Sequence, residues 1–337
     1  MFEEKKLSCK TSAAVEQSIL YLNSKEAHES LSIDPYWPKW NSPWWHMTLL
    51  WEMGLCSKIP GSIINDMIQA MNRTFLKFFP LTLTELPPEK NFHLNVGCHC
   101  ALGTMYQVLC DCGVDMDEHF TWVRPWFLRY QLPDGGLNCD EQAYLKENPK
   151  SSIVSTLPPL EAILRHTHRD LTEEEVHFLN QGAFYLISHQ LARSKSTGEL
   201  ILKEWLTPCF PRFYNYDILR GLSFLVEWAA RLHHTLPDNS IEEAVRHLLE
   251  QFPDGRVKIK REPWRTTKTL HPEAMQNAAG EPQKFSVSVF PLLEETGAAG
   301  SESPWLSRQW SNIVLLLKKL EYGFLFKERI KKRRKKS

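Results

Sequence analysis

Residues with metal-binding or acid–base side chains are concentrated in two short stretches, NFHLNVGCHC (91–100) and QLPDGGLNCD (131–140). The relevant side chains are those of His93, Cys98, His99, Cys100, Cys139 and Asp140. Thiolate sulfur and imidazole nitrogen are ligands that zinc prefers, so some of these residues could bind that ion together. The spacing lacks the paired Cys-x2-Cys units that are typical of structural zinc sites. We therefore expect buried thiols and no resident metal or cofactor, with zinc as the alternative.

Four residues are candidates for catalytic proton transfer: His46, His99, Asp140 and Asp217. Histidine and carboxylate side chains are the usual general acids and bases. Asp140 and Asp217 could also act as the carboxylate pair of a glycosidase. Asp217 and Arg220 are three residues apart on a predicted helix, where opposite charges often pair, so a structural ion pair is the competing interpretation.

The segment FPRFYNYDILRG (210–221) contains candidate ligand-binding groups. Arg212 and Arg220 would anchor an anion, because guanidinium groups form strong charge-assisted hydrogen bonds. Tyr214 and Tyr216 would form pocket walls with polar ends.

A second candidate binding segment is DPYWPKWNSPWWHM (34–47), which contains Trp37, Trp40, Trp44 and Trp45. A wall of indole rings suits an isoprenoid chain, the face of a sugar, or a cationic transition state. The alternative is that these rings fill the hydrophobic core.

Amphipathic helical segments alternate with more apolar ones along most of the chain. The phrase Gln-x-Pro-Asp-Gly ends two of the amphipathic segments, at 131–135 and 251–255, and a degenerate copy begins at Gln190. This pattern predicts five helix pairs with a period of roughly 55–60 residues and an insert at 256–302. The stretch FSVSVF (285–290) is the plausible strand. Because Pro and Gly fix turn geometry, the repeated phrase is predicted to be structural.

Two helix boundaries can be predicted from single residues. Pro158 and Pro159 cannot donate helical hydrogen bonds, so we expect the helix over 158–166 to begin near Leu157, with Thr156 as its cap. The acidic run DMDE (115–118) is predicted to cap the helix that begins near 117.

The Gln-x-x-Asp-Gly-Gly phrase at 131–136 resembles the repeat of the terpene cyclase and protein prenyltransferase superfamily. The stretches PYWPKWNSPWWHM (35–47) and CHCALGTMY (98–106) are similar to bacterial prenyltransferase/squalene-oxidase-repeat proteins. This resemblance, over roughly 10–322, implies an all-α fold: an α/α toroid of five to six helix hairpins around a central cavity. It also implies an apolar, isoprenoid-like substrate in an aromatic-lined cavity. Protein prenyltransferases hold zinc with Asp, Cys and His, at a spacing that this chain does not reproduce.

Charge and cysteine content bear on partners and location. The 337-residue chain has a formal charge of zero, but 327–336 contains eight basic residues and one acidic residue. We predict a toroid domain at 1–322 and a basic tail at 323–337. The tail could contact an anionic membrane surface, and we expect no specific nucleic-acid partner. No run of about 18 apolar residues or signal peptide is recognisable, and the eight cysteines form no disulfide framework, so we expect a cytoplasmic protein.

The leading functional hypothesis is a protein that binds or transforms an apolar small molecule, acting as an enzyme or a degenerate enzyme. A non-catalytic binding or scaffold toroid is one alternative. A carbohydrate-active (α/α)-barrel hydrolase or lyase is the other, since fold alone does not determine activity.

Overall fold

The chain is all-α apart from one short hairpin in the part that the structure describes. The computed structural model describes residues 7–262, 264, 268–271 and 284–326. The helices are α1 (Cys9–Leu22), α2 (Lys25–Ile33), α3 (Pro43–Glu52), α4 (Gly61–Thr74), α5 (Phe92–Asn95), α6 (His99–Asp111), α7 (Met116–His119), α8 (Val123–Arg129), α9 (Ile153–His166), α10 (Glu173–Ser188), α11 (Ile218–Leu232), α12 (Asp238–Gln251), α13 (Pro291–Gly297) and α14 (Pro304–Lys319). Short 3-10 turns occupy Cys56–Lys58, Leu83–Glu85, Glu141–Ala143, Lys203–Leu206 and Tyr322–Phe326.

The more apolar helices pack against one another in chain order. Helix α3 contacts α6, α6 contacts α9, α9 contacts α11, and α11 contacts α14. At the start of α14, the indole of Trp305 donates a hydrogen bond to the carbonyl of Met53, directly after α3 (3.1 Å). These helices carry much of the core, which forms one large apolar cluster of buried side chains.

Two predicted helix boundaries are wrong. The helix expected to begin near 117 and to continue to the phrase at 131–135 is divided at Phe120 into α7 and α8. Pro125 lies in the first turn of α8, where its missing N–H is tolerated. Helix α9 begins at Ile153 instead of near Leu157, with Ser152 at the N-cap and both prolines inside the helix. The packing of α9 against α6 overrides the low helix propensity of proline at these two positions.

The contact between α6 and α9 is unusually close at Gly103. A Cβ atom at this position would lie 2.4 Å from the backbone nitrogen of Pro159 and 2.5 Å from the carbonyl carbon of Pro158. One turn further along α6, the side-chain amide of Gln107 donates to the carbonyl of Gly103 (3.1 Å) and to that of Pro158 (3.4 Å). Helix α6 therefore presents a bare backbone patch to the proline pair of α9.

The repeated phrase at 131–135 is a structural turn, as its composition predicts. Gln131 donates to the carbonyls of Gly135 and Phe178 (2.8 and 2.9 Å), and so attaches the turn to α10. Gly135 has a φ of +96°, and a Cβ there would lie 2.3 Å from the carbonyl oxygen of Gln181. The carboxylate of Asp134 accepts the backbone N–H of Ser151 (2.9 Å). This turn thereby fixes the loop that comes after it.

The predicted insert contains the hairpin. Strand β1 (Lys268–Leu270) pairs antiparallel with β2 (Lys284–Ser286), so the strand expected over 285–290 forms only at its first two residues. The 3-10 turn Tyr322–Phe326 extends into the predicted tail, whose basic segment 327–337, with its expected membrane contact, lies outside the described residues. None of the helices in the described ranges is both long and apolar enough to cross a lipid bilayer.

The close contact at Gly103 can be tested by a substitution that adds one methyl group there. We expect Gly103→Ala to lower the free energy of unfolding by about 1–3 kcal/mol, because α6 and α9 must separate to admit the Cβ atom. Urea denaturation followed by circular dichroism measures this loss. Gly61→Ala is the matched control, since a Cβ there meets no atom within 4 Å and should be neutral or slightly stabilising. Equal denaturation midpoints for the two variants would contradict the close contact.

Candidate functional site

Three cysteine side chains from two segments converge at the N-terminus of α6. Cys98 is the N-cap residue of this helix, and Cys100 lies in its first turn. Their sulfur atoms are 3.3 Å apart, and the sulfur of Cys139 lies 3.7 Å from that of Cys100. The sequence placed Cys139 among the candidate ligands, and the structure brings it to the other two. We call Cys98, Cys100 and Cys139 the thiol cluster.

Two hydroxyl groups of α9 accept hydrogen bonds that position the loop bearing Cys139. The N–H of Leu137 donates to Thr156 Oγ1 (2.8 Å), and the N–H of Cys139 donates to Ser155 Oγ (3.1 Å). Because the Gln-x-Pro-Asp-Gly turn fixes the start of the same loop, the backbone at Cys139 is anchored from both directions. The close α6–α9 contact then sets the distance between this loop and the start of α6.

The thiols of Cys98 and Cys139 line a cavity of about 260 Å³, which we call the thiol cavity. Its other walls are mainly aromatic and aliphatic: Tyr36, Trp37, Phe75, Phe79, Phe92, Leu94, Val96 and Ala101. Besides the two thiols, the lining includes the basic side chains of Lys39 and His93. The cavity is therefore apolar, with its polar groups confined to a few positions.

Hydrogen bonding within the thiol cluster makes the three sulfurs inequivalent. Bonds from the thiols of Cys100 and Cys139 hold the pKa of Cys98 well below its usual value, while the pKa of Cys100 is raised by the bonds it shares with Cys139 and Cys98. The N-terminus of α6 adds its positive dipole end on the same side. The hydrogen bonds of the cluster thus favour the ionised form of Cys98.

Lys39 lines the same cavity and lies within a set of aromatic rings. Its Nζ donates to the hydroxyl of Tyr214 (3.2 Å) and lies 4.7 Å from the centre of that ring. The rings of Trp37 and Tyr36 are 5.4 and 5.6 Å away. Such cation–π contacts stabilise an ammonium group without neutralising it. Lys39 therefore supplies positive charge to the cavity.

Asp34 orders the segment that carries these aromatic residues. Its Oδ1 accepts the backbone N–H groups of Tyr36 and Trp37, both at 2.8 Å. The carboxyl is 1% exposed, and burial raises its pKa to about 7, against the two hydrogen bonds, which lower it. The indole N–H of Trp37 donates to the carbonyl of His93 (3.1 Å), which joins this segment to the far wall of the cavity.

His99 is occupied by a structural network and does not belong to the group of ligand atoms that the three thiols form. Its Nδ1 accepts the indole N–H of Trp126 (3.0 Å), so the proton resides on Nε2, which donates to the hydroxyl of Tyr144 (3.1 Å). That hydroxyl in turn donates to the carbonyl of Tyr130 (3.1 Å). Burial lowers the pKa of His99 to about 4. The imidazole is neutral, and both of its nitrogens are hydrogen-bonded.

His46 is also buried, but it has no polar contact among the described residues. Both ring nitrogens lack a hydrogen-bond partner there, and the imidazole stacks on Phe290 with ring centres 3.7 Å apart. Tyr21 covers the other side at 4.4 Å. Burial lowers the pKa of His46 to about 3, so the ring behaves as an apolar aromatic group at neutral pH.

The predicted indole wall is mostly core. Trp40, Trp44 and Trp45 are at most 3% exposed, and Trp45 packs against Phe213 with ring centres 5.0 Å apart. Of the four tryptophans that the sequence suggested as a binding wall, only Trp37 lines the thiol cavity. The aromatic cavity wall is completed by phenylalanines that the sequence did not single out.

Asp217 forms an ion pair with a different partner from the one expected. Its carboxylate accepts two hydrogen bonds from the guanidinium of Arg212 (2.8 and 3.1 Å) and one from the backbone N–H of Arg220 (2.9 Å). Burial raises its pKa, but the Arg212 interactions outweigh burial and hold the pKa below its usual value. The guanidinium of Arg220 instead pairs with Glu161 (2.6 Å).

The other residues that the sequence suggested as functional form hydrogen bonds with the backbone or with Lys39. The hydroxyl of Tyr216 donates to the carbonyl of Leu191 (2.6 Å), and that of Tyr214 accepts from Lys39. Asp140 is exposed, and its carboxylate caps the 3-10 turn at Glu141–Ala143 by accepting from Gln142 (3.0 Å). Asp115 caps α7 in the same manner, as predicted for DMDE.

A larger cavity of about 490 Å³ has charged walls, and we call it the charged cavity. Arg212 and Arg220 line it, together with Arg165, Glu52 and Glu161. Arg165 bonds Glu227 (2.7 Å) and Glu161 (3.2 Å). The three guanidinium groups are therefore already paired with carboxylates, which leaves little capacity for an incoming anion.

Glu52 and Glu161 were missed by the sequence reasoning. Each is an acidic residue within a mainly apolar helical segment, WWHMTLLWEMG (44–54) or PPLEAILRH (158–166). An acid in such a segment is the feature of the sequence that could have identified them. Glu52 accepts the backbone N–H groups of Arg212 and Phe213 (2.7 and 2.6 Å), and burial raises its pKa.

Comparison of the chain with protein-family models, curated proteins and solved structures returned no match. The superfamily resemblance drawn from the repeated phrase therefore stays a prediction, and a function must be inferred from the side chains that line the two cavities.

The ion pair of Asp217 makes a testable contribution to stability. Asp217→Asn would remove the carboxylate that pairs with the buried guanidinium of Arg212, and we expect the free energy of unfolding to fall by about 3–5 kcal/mol. Asp140→Asn is the matched control, because the exposed amide can still cap its turn, and a far smaller loss is expected. Urea denaturation at pH 7 measures both. Equal losses would contradict a structural role specific to Asp217.

The raised pKa of Asp34 predicts that the difference in stability between the wild type and Asp34→Asn depends on pH. Its native pKa of about 7 exceeds the ordinary value of about 3.9, so the folded chain binds the additional proton and loses stability as pH rises through this window. Asp34→Asn retains the accepting oxygen and cannot ionise. The variant should match the wild type near pH 4 and exceed it by roughly 2–4 kcal/mol at pH 8 in urea denaturation. A difference that does not change with pH would contradict this assignment.

Proposed function

We propose that this protein binds an apolar, isoprenoid-like small molecule in the thiol cavity. The observation that carries the proposal is the lining, in which eight aromatic or aliphatic side chains surround a volume of about 260 Å³. Ligand pockets typically range over about 300–1,000 Å³ and are mostly apolar with a few polar groups. The volume favours a short isoprenoid over a long polyprenyl chain.

The polar groups of the cavity indicate which end of the ligand they would contact. Lys39 and the thiols of Cys98 and Cys139 lie among otherwise apolar walls. A molecule with a hydrocarbon body and one hydroxyl or anionic end could place that end near Lys39. Its body would replace water against Phe75, Phe79 and Phe92, which favours binding through burial of apolar surface.

The helix contacts support a ring, and hence a toroid of the kind that the resemblance implies. Successive contacts run from α3 through α6, α9 and α11 to α14, and the Trp305 bond to Met53 joins the last helix to the first. We propose a terpene cyclase/prenyltransferase-like toroid on this basis. All eight cysteines are free thiols, which supports the further proposal of a reducing, cytoplasmic location.

Binding is better supported than acid-initiated catalysis by the nominated residues. His99 and Asp217 are committed to networks, Asp140 caps a turn, and His46 is a neutral core group. A donor for substrate protonation would need to be free and to face the ligand. We therefore propose a ligand-binding toroid, with any chemistry assigned to groups that line the thiol cavity.

A carbohydrate ligand is the second candidate, and one feature favours it. The charged cavity combines the indoles of Trp51 and Trp305 with Glu52, a carboxyl whose pKa burial raises. A carboxyl with a raised pKa is one of the two carboxyl groups of a glycosidase site, and Glu161 lines the same cavity. The two candidates predict different cavities and so can be distinguished by mutation.

Ligand binding can be tested with geraniol as the isoprenoid probe and cellobiose as the carbohydrate probe. We expect saturation-transfer NMR to show geraniol bound to the wild type and at least about tenfold weaker binding to Ala101→Phe, in which the added ring occupies the cavity. Ala13→Phe adds the same ring to an exposed position of α1 and should leave binding unchanged.

The outcomes separate the candidates. Geraniol binding that is equal in the two phenylalanine variants would refute the thiol cavity as the site. Cellobiose binding that is lost in Glu52→Gln, with no geraniol binding, would favour the carbohydrate candidate. Absence of binding by both probes would favour a scaffold.

A further inference from the structure

The thiol cluster has the geometry of a metal site. In a tetrahedral zinc site with Zn–S bonds of about 2.3 Å, sulfur ligands lie about 3.8 Å apart. The sulfurs of Cys98 and Cys100 are 3.3 Å apart, those of Cys100 and Cys139 are 3.7 Å apart, and all three lie within 4.8 Å of one another. Small movements of the side chains would place one ion at bonding distance from all three.

We propose that Cys98, Cys100 and Cys139 bind one zinc ion as three thiolates, with the fourth coordination position facing the thiol cavity. The cysteine spacing alone favoured buried thiols here, and the sulfur positions are the reason to revise that expectation. Three protein ligands and an open position are the arrangement of catalytic zinc sites. His99 and Asp140, which the sequence offered as ligands, point into other contacts.

The composition of the cluster selects the metal. Sulfur ligands without a carboxylate disfavour magnesium and calcium, which require oxygen, and favour zinc among the common divalent ions. A disulfide would join two of the sulfurs at about 2.05 Å and leave the third unused. A zinc ion accounts for the convergence of all three.

Charge and support around the cluster also suit the ion. Binding releases the proton of each thiol to solvent and leaves a complex with one net negative charge. Lys39 lines the same cavity and supplies a positive charge. The N-terminus of α6 directs its dipole at two of the ligands, and the bond from Cys139 N–H to Ser155 fixes the third. The site is thus supported by groups outside the ligands, as metal sites require.

An ion would reach the cluster through the thiol cavity, because Cys98 and Cys139 line that cavity. His93 also lines the cavity, but it does not belong to the group of ligand atoms within 4.8 Å, so it is not assigned as a ligand. The fourth position would therefore hold water or a heteroatom of a ligand.

Metal analysis of the intact chain tests the site directly. The protein is expressed in zinc-supplemented medium, purified without chelator, and measured by inductively coupled plasma mass spectrometry. We expect one zinc per chain in the wild type and less than about a tenth of that in Cys139→Ser, because a lost ligand weakens binding strongly. Cys110→Ser is the matched control: it lies on α6 outside the cluster and should retain the metal.

Cobalt titration of the wild type gives a second readout that does not depend on the folding of a variant. Cobalt(II) in the site should show thiolate-to-metal charge transfer and the intense visible bands of a tetrahedral centre, and added zinc should displace it. Binding should weaken at acid pH, because the thiols must lose protons.

Three results would overturn the proposal: reduced thiols with no bound zinc or cobalt, an internal disulfide, or copper in place of zinc. Loss of metal from His93→Gln would overturn the open fourth position. The metal test is independent of geraniol, so the zinc site and the proposed ligand can each fail without the other.

Discussion

The approach of α6 to α9 is the constraint on which the candidate site depends. Gly103 has no side chain to separate the two helices, and α9 presents Pro158 and Pro159 at the same level. Helix α6 begins with two of the three clustered thiols, and α9 holds the loop that supplies the third through Ser155 and Thr156. The distance from the sulfur of Cys139 to that of Cys100 therefore depends on backbone packing about one turn away. Close-packed interiors transmit such constraints with little compliance.

Buried charges have a different role, because they secure loops to helices. Asp217 binds Arg212 on the loop before α11, and Glu52 at the end of α3 accepts two backbone amides of that loop. Arg220 links α11 to Glu161 of α9. Breaking a buried pair is far more costly than never having formed it, so these contacts determine which loop conformation is stable. Of the acids and bases that the sequence suggests as catalysts, Asp217 is used in this way, whereas His99 and Asp140 form other hydrogen bonds.

The sequence allowed prediction of a mainly helical chain, the structural role of the phrase at 131–135 and the capping function of DMDE, because each depends on residues close in the chain. It failed at α9, where the rule against prolines in helices was overridden by a partner helix with a glycine opposite. It included Cys98, Cys100 and Cys139 among possible zinc ligands but favoured buried thiols, because their convergence depends on a loop 39 residues away from Cys100. Glu161 could not be paired with Arg220 from sequence, because 59 residues separate them.

The hairpin of the 256–302 insert packs against residues that form one wall of the thiol cavity. Leu270 packs with Leu94 and Trp37 in a small hydrophobic cluster that is separate from the main core. The hydroxyl of Thr269 accepts the backbone N–H of Lys39 (2.7 Å). A region stabilised by few apolar contacts opens at a lower free energy than the whole fold. Amide hydrogens at 93–95 and 268–270 should therefore exchange with solvent through local opening, while those of α6 and α9 exchange only when the molecule unfolds globally.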